Sequence, residues 1–146
     1  MTTTLWETEY SIEIHAHQAF AWNFMSNVEN WDDPPAQFHL DGPFVTGARG
    51  YTQMPGQPPQ PWQLVEVTPM ELYRLEFTLP DAALIFTWRF QACDAGTRLT
   101  QHIALSGEKA SEYLSNVEGA FRSNLEPGMK RIAQAIDSAH RLQTGP

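Results

Sequence analysis

His15 and His17 stand two positions apart, and on an extended strand both imidazoles could reach one metal ion. A tetrahedral site needs further ligands at suitable spacing, and His39, His102 and His140 are scattered along the chain. No metal and no other cofactor is therefore expected. Nucleophilic chemistry is no better served. Ser106-Gly107 is not a nucleophile elbow, and Cys93 sits near a hairpin tip, neither with a base close by in sequence. General acid–base work requires a titratable group inside a cavity, for which His39, His102, Tyr113 and Arg74 can be named. Strand phase puts Arg74 and His102 on the outside, so no catalytic residue is assigned.

The richer signal is apolar. With five Trp and eight Phe, the chain carries more large rings than a small core requires. Tyr10, Trp22, Trp31, Phe38, Tyr51, Trp62, Phe77, Phe86, Trp88, Phe90 and Phe121 are candidates for the wall of a pocket. The plainer alternative is that they fill a solid core. Gln101 stands among inward apolar neighbours Leu99, Ile103 and Leu105, and a buried amide needs partners. Tyr113, Gln63 or Gln53 could join it around a ligand. Val117 and Phe121 would face that site from a helix.

The elements that must hold these residues follow from periodicity. Trp6, Thr8, Tyr10, Ile12 and Ile14 alternate with Glu7, Glu9, Ser11 and Glu13, which is a strand with one dry face. The acidic face is read as solvated, a guard against sheet-edge pairing. From Gln18 the period becomes helical through Phe20, Phe24 and Val28, and Asn27–Trp31 suggests a second short turn before Asp32-Asp33-Pro34-Pro35. Short strands are then expected near Phe38–Leu40, Gly47–Met54, Trp62–Val67, Leu72–Leu79, Leu84–Phe90 and Thr97–Leu105. The proline-dense tip Pro55–Pro61 separates two of them as a projecting loop.

The last segment, from Ser106 to Leu142, draws one stripe through Leu114, Val117, Phe121, Leu125, Met129, Ile132 and Ile136. Ser106 suits an N-cap, with Glu108 in the first turn, and Glu118–Arg122 and Glu126–Lys130 are spaced as helix-surface pairs. At about 1.5 Å per residue this helix would run roughly 45–50 Å and need a broad sheet beneath it. Pro127-Gly128 interrupts it. The reading adopted is one kinked helix, with two helices meeting at Asn124–Gly128 as the alternative. Strands in sequence with segregated helices make an α+β domain, an antiparallel sheet of about six or seven strands around the long helix.

Composition bounds the rest. A chain of 146 residues is expected to form one domain, residues 1–146, with a single core. A net charge of −8 argues against nucleic acid as a partner. No segment is apolar for the length of a membrane span, and Met1–Glu7 lacks the pattern of a signal peptide. The lone Cys93 permits no internal disulfide, which fits a reducing compartment. A cytoplasmic monomer or homodimer is expected.

Several stretches resemble the SRPBCC superfamily, the START and birch-pollen-allergen type of helix-grip fold, most of all its bacterial polyketide cyclase/dehydrase-like members. They are Ile12–Ala16 leading into Ala21–Phe24, Asn27–Trp31, the spacing Gly42 to Gly47, Trp62–Pro69, Trp88–Phe90 and Gly96–Thr100. The resemblance covers about residues 5–142. His17 stands where the first helix of such proteins usually has proline. The resemblance implies a curved sheet around the long helix with an apolar cavity between them. It implies binding of a lipid, polyketide or aromatic metabolite. Fold alone does not settle function, so a cyclase or aromatase-type enzyme is the alternative. A protein-interaction role like that of the heat-shock ATPase activators is third.

Overall fold

The computed structural model describes residues 4–31 and 35–144. Strand β1 (Thr4–Ile14) keeps the alternation of its sequence, with Trp6, Thr8, Tyr10, Ile12 and Ile14 turned inward and the glutamates exposed. The chain then turns into helix α1 (Gln18–Met25), which buries Ala21, Trp22 and Met25. A single 3₁₀ turn (Val28–Asn30) follows, its first backbone donors met by the Asn27 side chain accepting from Glu29 N–H at 3.1 Å. The expected breaker Asp32-Asp33-Pro34 lies outside the described residues.

Six further strands run in sequence: β2 (Gln37–Asp41), β3 (Arg49–Gln53), β4 (Gln60–Thr68), β5 (Leu72–Leu79), β6 (Ala82–Cys93) and β7 (Gly96–Ser106). All pair antiparallel in one curved sheet of order β1-β7-β6-β5-β4-β3-β2. The first strand thus closes against the last. Along one inward row, register aligns Tyr10 with Gln101, Gln101 with Trp88, and Trp88 with Tyr73. Neighbouring strands lie about 4.8 Å apart, so this row presents four side chains across four strands.

The C-terminal segment corrects one expectation. It is not a single kinked helix but two: α2 (Ala110–Phe121) and α3 (Leu125–Thr144). Pro127 is the third residue of α3, in the first turn, where its missing N–H forfeits no helical bond. The Asn124 side chain donates to the Ala120 carbonyl at 2.8 Å and so finishes the last turn of α2. The expected surface pairs Glu118–Arg122 and Glu126–Lys130 both form.

The start of α2 is also later than the sequence suggests. Ser106 is buried as the last residue of β7, Lys109 occupies the N-cap without a side-chain bond, and Glu112 takes the first turn in place of Glu108. Gly107 causes the delay. It sits at φ 113°, outside the helical range, so no helix runs through it, and a Cβ there would lie 2.6 Å from Ala82 Cα.

Helix α3 packs along β1 and touches α1. Its Met129, Ala133 and Ile136 join Ile14, Trp22, Leu64, Tyr73, Phe90 and Leu99 in the main core. A smaller cluster forms under α2 from Leu105, Ala110 and Val117, with Tyr113, Leu114 and Phe121 against it. The junction between α2 and α3 falls between these two packed regions.

Candidate functional site: an aromatic cavity between sheet and helices

Between the sheet and the α2–α3 junction lies a cavity of about 690 Å³. The sheet supplies Thr52, Trp62, Tyr73, Leu75, Phe77, Phe86, Trp88 and Gln101. Helix α1 and the turn after it add Phe24, Met25, Asn30 and Trp31, and β2 adds Phe38. The helical side carries Phe121, Asn124, Leu125, Pro127, Gly128, Arg131 and Ile132. Volume and ring content are those of a small-molecule pocket.

The rings are held in place from behind. Trp62 donates its indole N–H to Thr52 Oγ1 at 3.1 Å, and Trp31 donates to the Met25 carbonyl at 2.7 Å. Trp31 stacks on Tyr73 at 6.2 Å between centroids and 13° between planes, and Tyr73 stacks on Trp88 at 6.2 Å and 15°. Trp62 tilts against Trp31 at 5.8 Å, while Phe38 meets Trp31 edge-on. With their N–H groups satisfied elsewhere, Trp31 and Trp62 present faces rather than donors to the space.

The polar side chains on the lining are Asn30, Thr52, Gln60, Tyr73, Gln101, Asn124 and Arg131, of which Asn30, Thr52 and Asn124 are bonded within the protein. Tyr73 is 2% exposed, and burial holds the pKa of its phenol well above the ordinary value. Gln101 is half-buried on the next strand but one. The charged residue on the lining, Arg131, is exposed on α3.

Of the ring and polar positions singled out from sequence, Trp31, Phe38, Trp62, Phe77, Phe86, Trp88, Gln101 and Phe121 line this cavity. The others stand elsewhere. Trp22 and Phe90 are buried in the main core, edge to face at 5.2 Å. Tyr10 lines a second, shallower space of about 390 Å³ between β1 and the helix junction. Tyr51 lies on the outer face against His39, because the phase of β3 turns Gly50 and Thr52 inward. Tyr113 donates to the Pro80 carbonyl at 3.0 Å and ties α2 to the β5–β6 turn. Val117 is buried in the smaller cluster.

Gln101 gains neither of the partners suggested for it on the sheet. Gln53 donates to the carbonyls of Met54 and Gln57, holding the base of the proline-rich loop, and Gln63 donates to Gly47. The named acid–base candidates also stay out of the cavity. His39 pairs with Asp41, Arg74 with Glu66 at 2.6 Å, and His102 faces Glu7 at 3.6 Å. His17 sits edge-on to His140 at 5.6 Å on a corner of the molecule. Among the described residues no group of three potential metal ligands gathers.

Sequence reasoning passed over Tyr73, although the alternation of β5 had already turned it inward with Leu75 and Phe77. It also missed Phe24 and Met25 on α1, and Asn124 and Arg131 at the helix junction.

A curved antiparallel sheet gripping a long C-terminal helix, with a cavity left between them, defines the helix-grip class. Within that class the chain belongs to the family described as polyketide cyclase / dehydrase and lipid transport, whose profile matches residues 6–137. Among curated proteins no sequence match is found. Solved structures repeat the fold at low identity. A protein from Nitrosomonas europaea superposes with a TM-score of 0.72 at 14% identity, over 92% of this chain and 96% of that one. A protein from Mesorhizobium loti gives 0.72 at 13%, over 91% and 98%. Norcoclaurine synthase from Thalictrum flavum, solved with dopamine and hydroxybenzaldehyde, gives 0.69 at 13%, over 96% and 90%. Among the described residues no helix is long and apolar enough to cross a membrane.

Proposed function

We propose that this protein binds a largely apolar small molecule in the cavity between its sheet and α3. The observation that carries the reading is the cavity itself, about 690 Å³ walled by Trp31, Trp62, Tyr73, Phe77, Phe86 and Trp88. Such a wall offers flat apolar area over most of a ligand's surface and few polar groups to orient it. The family description supports the same reading, as does the aromatic pair bound in the norcoclaurine synthase structure. Lipid, polyketide and aromatic metabolite are the ligand classes considered. The chain is read as one domain acting alone or as a homodimer.

A cyclase acting on a polyketide-like aromatic is the second reading, and one observation favours it. The Tyr73 hydroxyl is a hydrogen-bond donor on the cavity wall, able to polarise a substrate carbonyl rather than to give up its proton.

The binding reading is tested with Nile red and a panel of fatty acids and flat aromatics. We expect about one equivalent to bind, with quenching of Trp emission and a negative heat-capacity change. If the folded protein ignores the whole panel, the reading fails.

A further inference from the structure

Tyr73 is the most buried polar side chain on the cavity wall, yet nothing engages its hydroxyl. Its ring packs against those of Trp22, Trp31, Phe44, Trp88 and Phe90. Among the described residues none accepts from it or donates to it. Nor do those residues contain a side-chain oxygen or nitrogen that is both sealed off and unpaired. The Tyr73 oxygen must therefore open onto free space, and the space that Tyr73 lines is the cavity. A buried hydroxyl without a protein partner costs stability unless something else pairs with it.

The surroundings limit what that partner is. Tyr73 is a donor, since burial keeps its phenol protonated far above neutral pH. The broad rings of Trp31, Trp62 and Trp88 on the same wall favour a flat molecule. The deep wall holds no cation, and Arg131 is exposed and already engaged in another interaction. A carboxylate pushed to the Tyr73 end would lose its hydration without a counter-charge. Two strands along the same row, roughly 10 Å away at the backbone, Gln101 offers an amide that the described residues also leave unpaired.

From this arrangement we propose that the ligand is a flat, uncharged ring system bearing an oxygen acceptor, a ketone for example, which takes a hydrogen bond from the Tyr73 hydroxyl. The assignment rests on the binding reading above and adds the ligand's polarity and orientation. Gln101 would then meet a second polar group at the far end of a longer ligand.

Fluorenone and fluorene test this, because they share one flat skeleton and differ in a carbonyl replacing a methylene. The native protein should bind fluorenone about tenfold more tightly, the worth of one hydrogen bond to a group otherwise left unpaired. The carbonyl stretching band of bound fluorenone should move to lower wavenumber than in an apolar solvent. Tyr73→Phe keeps the ring and removes the oxygen. It should cancel the preference by weakening fluorenone alone, and return the band to its apolar position. Equal affinity of the native protein for the two compounds overturns the proposal while leaving apolar binding intact. So does a shifted band that survives in Tyr73→Phe. Failure of both compounds to bind the native protein overturns the binding reading, and this one with it.

Discussion

Gly50 lies beneath the indole of Trp62. A Cβ on Gly50 would fall 2.5 Å from Trp62 Cη2 and 2.3 Å from the His39 carbonyl oxygen. The bare backbone lets the Trp62 indole lie over β3 at Gly50 and reach the Thr52 hydroxyl two residues along the same strand, which fixes one wall of the cavity. Gly50→Ala should therefore cost about 1–3 kcal/mol, the range of overpacking. Trp62 should swing away, seen as a red shift in Trp emission and weaker dye binding. Unchanged stability and emission would mean that β3 gives way freely and that the glycine holds nothing.

Phe121 separates a cavity wall from a solid core. It meets Phe86 edge-on at 5.5 Å but borders both open spaces, so its ring lacks neighbours on part of its surface. Phe121→Ala should cost less than about 2 kcal/mol, below the usual range for a core phenylalanine, and should change which dyes bind. Leu125, one turn on along the stripe, looks from sequence like ordinary packing, yet it borders the same two spaces. Ile136, fully buried in the main core, is the proper comparison. Its alanine variant should cost about 2–5 kcal/mol with dye choice unchanged. A loss above about 3 kcal/mol at Phe121 with binding unaltered would place it in a filled core.

Pro127 distinguishes two helices from one. In the first turn of α3 it restrains the unfolded chain and breaks no bond of the folded one, so Pro127→Ala should lower stability by about 0.4–1 kcal/mol. Denaturant titration read alongside far-ultraviolet circular dichroism decides. A rise in stability with added helix content would show α2 and α3 fusing once the proline is gone.

Tyr73 gives the protein an alkaline weakness. Its folded pKa is raised by burial above the unfolded value of about 10, so the fold keeps a proton that the unfolded chain releases. The stability tied to this group is complete below about pH 10 and is lost as pH rises toward the folded pKa. Urea midpoints from about pH 8 to about pH 11 should fall more steeply for the native protein than for Tyr73→Phe. Parallel curves would remove Tyr73 as the cause.

The sheet was readable because alternation is a local property. The inward set of β5, Tyr73 with Leu75 and Phe77, follows from period two alone, as does the exposed acidic face of β1. The site was harder. Aromatic character marks Tyr51 and Trp62 alike, and only strand phase separates them. That phase depends on reading Gly50 and Thr52 as inward, although a glycine carries no hydrophobic signal. Trp22 and Trp31 pose the same difficulty on the helical side. One is packed behind the sheet's core and the other rests over Tyr73, a difference made by where α1 ends. The helix break was visible as Pro127-Gly128, but the unwound residues precede the proline. A first-turn proline is compatible with the helix that follows it and says little about the helix before.

Strand β1 has β7 as its neighbour, and Asp137 of α3 accepts the backbone N–H groups of His15 at 3.0 and 3.2 Å and of Ala16 at 3.0 Å. The paired hydroxyls of Ser11 and Thr100 are 89 positions apart, and the Asp137 clamp spans 122. A chain leaving the ribosome N-terminus first must therefore hold β1 unpaired until β7 has been made, and His15 and Ala16 unclamped until Asp137 has. Contacts of such range close late and slowly. Helix α3, which carries the Asp137 clamp, also supplies Leu125, Pro127, Gly128, Arg131 and Ile132 to the cavity, so a chain stopped at β7 has no version of the pocket to offer a ligand.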